Sequence, residues 1–379
     1  MSALEATTPP PGPASCRLRS ADPAALRILE VGDHETFKLA FSENTVRLST
    51  RPKKRHVPDP HFTLARWREV KQELAAGRYD LVVCYTQLYA PWDPRSFIRA
   101  FAVGLPRLVN PVARTFGVMK ACRIAGVPMI TIDYDDSFAI NRHQFRFLER
   151  SQLYFKRELP VDGWQLFFKT GHRNLPTRRI RGNRRYAAWL EKVRPISLGL
   201  PWPTRSMAPP PLEKTADVFF AGQVTLNSTV REAGMRQLET LAARGYRVDI
   251  ARERLPYREF LARCARSWLT WSPEGYGWDC RRHYEAALCR SVPLMSRATI
   301  HRHRPLVAGE HGFYYDVEGD GLVRAAEDAL ADKERLARIA EASRTHVLTH
   351  HTYEAICRYM VGELAAKLAN EDAPLPVSG

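Results

Sequence analysis

Ser272-Pro273-Glu274-Gly275-Tyr276-Gly277-Trp278-Asp279-Cys280-Arg281-Arg282-His283-Tyr284-Glu285-Ala286-Ala287-Leu288-Cys289-Arg290-Ser291-Val292-Pro293 is the stretch from which the rest of this chain is best read. The apolar run just before it, residues 268–271, predicts a strand. Residues 283–289 predict a helix, and residues 292–295 a second strand. Strand, glycine-rich turn, helix and strand in that order form the repeating unit of a parallel sheet covered by helices. In such sheets ligands sit outside the C-terminal ends of the strands. Gly275 and Gly277 would let the backbone approach a ligand closely. A helix N-terminus there offers free N–H groups to a diphosphate. Arg281 and Arg282 add charge-assisted donors for phosphate oxygens, and Glu285 offers a carboxylate to sugar or ribose hydroxyls. The plain alternative is a glycine-rich turn followed by a charged surface helix. No third glycine stands at Cys280, so the dinucleotide fingerprint is missing, which counts against hydride transfer.

The same alternation extends in both directions. Towards the N-terminus, strands are predicted at residues 28–31, 81–85, 129–133, 153–155 and 196–198. A crossover helix at 106–125 stops at Gly126. Leu200-Pro201-Trp202-Pro203 through Pro209-Pro210-Pro211 reads as a linker, because proline removes backbone donors and disfavours helix before it. Beyond it a second series begins: strand 218–221, helix 229–244, strand 246–250, helix 259–267, and then the opening stretch and a short strand at 313–315. Two helices close the chain. One covers residues 322–339, and the other starts at Tyr353 with Ile356, Met360, Leu364 and Leu368 on one face. The expected organisation is a disordered tail (1–22), a first α/β domain (23–200), a linker (201–215), a second α/β domain (216–350), and a final helix and tail (351–379).

With 379 residues, 45% of them apolar, the chain has material for two ordinary cores. Its seven cysteines are irregularly spaced and form no CxxC pair. That argues against a disulfide framework or a zinc knuckle, and a reducing compartment fits. No signal peptide and no membrane span are expected, so the expected location is cytoplasmic. The net charge of +16 is uneven: residues 141–195 carry 14 Lys and Arg against 4 Asp and Glu. The densest part holds Arg178, Arg179, Arg181, Arg184 and Arg185. It is either a solvated basic face or a contact for an anionic lipid, membrane surface or acidic glycan, with peripheral attachment at the inner face of the membrane as the corresponding location. No nucleic-acid module accompanies the charge, so no nucleic-acid partner is expected. No HExxH or GxSxG motif is present, which speaks against a zinc protease or a serine hydrolase.

Ser272-Pro-Glu-Gly-Tyr-Gly277, Tyr284-Glu-Ala-Ala287 and Val292-Pro-Leu294 together resemble the donor-site signature of GT-B glycosyltransferases, closest to the group-1-like, CgeB-type proteins of bacteria. The segment Gly275 to Ala286 also resembles the matching part of exostosins. The resemblance covers roughly residues 216–364, and it implies an α/β fold of two Rossmann-like domains facing each other across a cleft, with residues 23–200 as the acceptor domain, residues 216–350 as the donor-binding domain, and the final helix crossing back to the first. It further implies transfer of a sugar from a nucleotide-diphosphate sugar to a glycan or lipid-linked acceptor hydroxyl, as in polysaccharide synthesis. The donor-binding residues it implies are Gly222, Asn227, Arg231, Ser272, Glu274, Gly275, Tyr276, Gly277, Asp279, Arg282, His283 and Glu285. In group-1 enzymes the two signature glutamates stand closer together than Glu274 and Glu285 do, so Glu285, directly before Ala286-Ala287-Leu288, is the better match. Asp133-Tyr134-Asp135 matches the DxD pattern of metal-dependent transferases, but it ends a strand in the first domain. No metal or other cofactor is expected, because a helix dipole and arginines can offset a leaving diphosphate. Asp136 and His34 are the candidate general bases. A non-catalytic glycan-binding protein and a sugar-nucleotide epimerase on the same fold remain open alternatives.

Overall fold

The computed structural model describes residues 17–50, 63–86, 109–141, 144–168, 184–224 and 229–372. The first sheet contains β1 (Ile28–Gly32), β2 (Thr45–Ser49), β3 (Leu81–Tyr85), β4 (Met129–Asp133), β5 (Leu153–Lys156) and β7 (Val193–Pro195), in the order β2-β1-β3-β4-β5-β7. Every pairing in it is parallel. The connecting helices are α1 (Thr36–Ala40), α2 (Leu64–Ala75), α3 (Val109–Ala125), α4 (Phe145–Arg150) and α5 (Arg184–Leu190). β1, β3 and β4 are buried along their whole length, which is why they read as mainly apolar runs, Glu30 and Asp133 being buried within them. β2 escapes that pattern because it contains Arg47. Its buried guanidinium donates to the His34 carbonyl at 2.9 Å and lies 3.4 Å from the Glu35 carboxylate.

A short helix, α6 (Trp202–Ser206), forms inside the proline-rich segment that reads as a linker, with proline in its first turn. The second sheet contains β8 (Ala216–Ala221), β9 (Val248–Ala251), β10 (Ser267–Ser272), β11 (Val292–Ser296) and β13 (Phe313–Tyr315). Its order is β13-β11-β10-β8-β9, again all parallel. Its helices are α7 (Thr229–Ala243), α8 (Tyr257–Ala265), α9 (Arg281–Leu288), α10 (Gly321–Leu330) and α11 (Lys333–His350). One helix is expected over 322–339, but the chain breaks at Ala331-Asp332, where the Asp332 side chain accepts the Arg335 N–H at 2.8 Å and starts a new helix. The predicted strand at 196–198 is displaced too. Pairing runs through Val193–Pro195, where a proline is tolerated on the sheet edge.

Each sheet reverses its strand order once, between β1 and β3 in the first and between β8 and β10 in the second. In both, the C-terminal strand ends at that point form the natural crevice. A two-stranded antiparallel ribbon joins the two halves, β6 (Leu159–Pro160) with β12 (Ile300–His301). The last helix, α12 (Tyr353–Asp372), leaves the second half and packs on the first. Ile356, Met360, Val361, Leu364 and Leu368 share a buried cluster with Ile28, Leu81, Ile130 and Phe155. Among the described residues no helix is long and apolar enough to cross a membrane.

Candidate functional site

β10 delivers Ser272 to the crevice, and the loop 273–280 follows. Two buried side chains brace it from beneath. The His283 ring meets the Ser272 hydroxyl at 2.8 Å through Nδ1 and the Trp278 carbonyl at 2.9 Å through Nε2. The carbonyl only accepts, so Nε2 carries the proton and Nδ1 accepts from the serine. Burial lowers the imidazole to about 3, which keeps it neutral. Glu274 is held by Ser296, whose hydroxyl donates to its carboxylate. Arg231 ties the two loops together, donating to the Glu274 carbonyl at 2.9 Å and the Gln223 carbonyl at 2.7 Å.

Above the loop a cleft of about 610 Å³ opens between the two halves. Asp136, Arg157 and Leu198 border it from the first, and Gly275, Tyr276, Arg281, Arg282, Tyr257 and Glu285 from the second. It continues into a larger cavity of about 1020 Å³ bordered by Gly222, the chain from Ile250 to Tyr257, and Phe260. Arg282 stands at the junction. Its guanidinium lies 5.4 Å from the centre of the Phe220 ring and against the Cα of Gly222, where a Cβ would come within 2.7 Å of Nη2. Glycine at 222 is therefore what makes room for the arginine. Nη1 is buried without a hydrogen-bond partner among the described residues, and burial pulls the group below the usual arginine range. A buried cation in that state calls for an anion.

Glu285 lies one turn into α9 and is 7% exposed. The Tyr257 hydroxyl donates to Oε1 at 2.7 Å, and Thr204 of α6 meets that hydroxyl at 3.1 Å. Burial pushes the Glu285 carboxyl up, while Tyr257, Arg281 and Arg282 hold it back.

The remaining residues singled out in the sequence fall elsewhere. Ser272, Glu274 and His283 support the loop from within. Gly277 is glycine for a reason other than ligand approach: a Cβ there would run into the Glu158 carboxylate. Asp279 is fully buried and joins the halves, accepting the Leu198 N–H at 2.7 Å and the Tyr284 hydroxyl at 2.5 Å. Asn227 lies outside the described residues. On the first half, Asp136 pairs with Arg157 at 2.5 Å at the cleft edge. His34 follows β1 and sits 5.2 Å from the Tyr85 ring and 5.1 Å from that of Tyr134. In the DxD-like triplet, Asp133 accepts from the Tyr154 hydroxyl at 2.6 Å and pairs with Lys156 at 3.1 Å, while Asp135 accepts from Gln144 at 2.9 Å. Among the described residues no three His, Cys, Asp or Glu side chains converge in a way that could hold a metal ion. In the basic segment, Arg178, Arg179 and Arg181 lie outside the described residues. Arg185 is paired with Glu149 at 2.6 Å and covers the Trp189 ring.

Arg157, Arg254, Tyr257 and Phe260 border the cleft without having been found in the sequence. The Arg157-Glu158 pair interrupts an apolar run, and that was its only signal. Tyr257 gave none, because its partner lies 28 residues away.

No protein-family model matches this sequence, and no curated protein matches it. Among solved structures, a glycosyltransferase from Rickettsia africae superposes with a TM-score of 0.54 at 10% identity, covering 90% of this chain and 98% of that one. HepE from Anabaena, in complex with UDP, gives 0.49 at 12% identity over 91% of this chain and 100% of that one. Sucrose-phosphate synthase from Thermosynechococcus elongatus gives 0.48 at 10% over the same shares. The chain has the GT-B fold, two Rossmann-like α/β domains facing each other across a cleft.

Proposed function

We propose that this chain is a glycosyltransferase that moves a sugar from a nucleotide-diphosphate donor to an acceptor hydroxyl. The observation that carries this reading is Arg282, between Gly222 and the N-terminus of α9, which borders the cleft and has a buried Nη1 with no hydrogen-bond partner among the described residues. In this reading the nucleoside fills the larger cavity. The diphosphate lies on Arg282, Arg281 and the first turn of α9, and Glu285 takes a ribose or sugar hydroxyl. The arginines and the helix dipole stabilise the leaving diphosphate, so the step needs no metal ion or other cofactor. Asp136 is placed in the role of general base toward the acceptor, with His34 as the rival position. The acceptor enters from the first half. We assign it as a glycan or lipid-linked hydroxyl, with the enzyme working on the cytoplasmic side in polysaccharide synthesis. We read the donor loop as similar to that of group-1-like, CgeB-type proteins and to the matching exostosin segment.

The test is a thermal-shift panel of UDP-, GDP-, ADP-, dTDP- and CMP-sugars. A donor present at 100 times its Kd stabilises the protein by about 2.7 kcal/mol. One nucleotide class should stand out, and Arg282→Ala should abolish its shift while leaving the melting of the free protein near that of wild type. A flat panel with wild type overturns the reading.

A further inference from the structure

Loop 277–279 owes its shape to the opposite half of the molecule. After β5 the chain presents Arg157 and Glu158 to it. Glu158 is fully buried, and its two carboxylate oxygens accept the backbone N–H groups of Trp278 and Asp279, each at 3.0 Å. Arg157 donates to the Asp279 carbonyl through Nε at 3.1 Å and Nη2 at 2.5 Å, and through Nη1 to Asp136 at 2.5 Å. Gly277 has no room for a side chain because the Glu158 carboxylate packs against it. α9 starts two residues after Asp279, so the orientation of these peptide groups sets where Arg281 and Arg282 enter the cleft. Buried charges of this kind are tolerated only when fully hydrogen-bonded. Here a carboxylate meets two amides and a guanidinium, Arg157 Nε lying 3.3 Å away.

We infer that Glu158 is a positioning residue for the diphosphate site: it shapes the loop that feeds α9 without bordering the cleft itself, and through Arg157 it links that loop to Asp136. The inference rests on reading the cleft as a donor site. Deeper in the second half, the larger cavity is bordered by residues 220–224, Met235, residues 250–257 and Phe260, and by none from this loop. Loss of Glu158 should therefore weaken diphosphate binding and leave nucleoside binding alone, a split that a general loss of structure does not produce.

Wild type and Glu158→Gln are compared by calorimetry with UDP, GDP, ADP and dTDP and with the matching nucleosides. Amide hydrogen exchange is followed at Trp278 and Asp279. Glu158→Gln keeps the size of the side chain but turns one acceptor into a donor facing an N–H. At least one of the two amides should exchange at least tenfold faster. Affinity for the diphosphate that wild type prefers should fall about tenfold, with the nucleoside affinity within twofold of wild type. Gly277→Ala, which displaces the same carboxylate without removing its charge, should reproduce the split and serves if Glu158→Gln does not fold. Unchanged exchange at both amides, or equal losses for nucleoside and diphosphate, overturns the proposal. If wild type binds none of the four nucleotides, the donor reading falls and this proposal with it. If wild type binds one and Glu158→Gln binds it equally well, the proposal alone falls.

Discussion

At the scale of single residues, the centre of the cleft is a relay of hydroxyls ending on a carboxylate. The Tyr257 hydroxyl donates to Glu285 Oε1 at 2.7 Å and lies 3.1 Å from the Thr204 hydroxyl. That leaves the second carboxylate oxygen for a ligand hydroxyl. Glu285→Gln should weaken donor binding by about 1–3 kcal/mol, the usual worth of a hydrogen bond to a charged group. Tyr257→Phe keeps the packing against Phe260 but removes the bond that holds the carboxyl down, so Glu285 should rise further. Binding that needs the carboxylate is lost as pH falls through its pKa. The acid limb of a donor-affinity profile should therefore move to higher pH in Tyr257→Phe, and an unmoved limb would remove Glu285 from the site. Glu285 and Arg282 were legible in the sequence because both follow a glycine-rich turn on one short helix. Tyr257 and Arg157 were not, because what gives them meaning is a contact 28 residues away in one case and 122 in the other. Local patterns carry no record of such contacts.

At the scale of elements, the buried parallel strands were the most readable part. β3, β4 and β13 fall on the residues their apolar runs predict. In the elements that escaped, an arginine or proline sits inside regular structure. β2 buries Arg47, β7 ends in Pro195, and α6 begins among prolines. In each, a tertiary partner or an edge position compensates for a residue that local propensity disfavours. The same limit affects the basic segment. Its described end, α5, begins Arg184-Arg185, and Arg185 is already neutralised by Glu149. What remains for a membrane is Arg178, Arg179, Arg181 and Arg184, each worth about 1 kcal/mol near an anionic surface. Wild type should pellet with vesicles containing phosphatidylserine at low salt and release as salt rises. A variant with these four arginines changed to glutamine should stay in the supernatant. Equal pelleting of the two proteins would leave a soluble acceptor as the explanation.

At the scale of the whole molecule, buried histidines that burial keeps neutral stand in the second half and at the join between the halves. Burial lowers His283 and His351 to about 3 and His303 to about 4. An unfolded histidine titrates near 6.5, so below that pH the unfolded chain binds more protons than the folded one, and stability falls as pH drops from about 6.5 towards 3. Each group contributes about 2 kcal/mol of loss between pH 7 and pH 5 on this arithmetic. Glu30, Glu158 and Glu285 are raised by burial and act in the opposite sense. The clean measurement is therefore a difference: urea unfolding of His351→Gln should lose about 1–2 kcal/mol less than wild type over that interval, and equal losses would mean that His351 is not held neutral. The last helix belongs to the same join. Six of its side chains, including Cys357, are buried against the first sheet, worth about 2 kcal/mol each, which together rival the net stability of a typical protein. A chain ending at His350 should collect in the insoluble fraction, and a soluble, cooperatively melting product would show that the first sheet stands alone. This arrangement also sets a timetable for synthesis. The first-half residues from Leu26 on that α12 covers have all been made by Ile196, yet α12 begins only at Tyr353. At about 5–20 residues per second, the ribosome leaves one face of that sheet uncovered for roughly 10–30 seconds. Throughout that interval the nascent chain exposes an apolar sheet face that holdase chaperones would bind, and the protein's yield in a cell should depend on them more than its finished stability suggests.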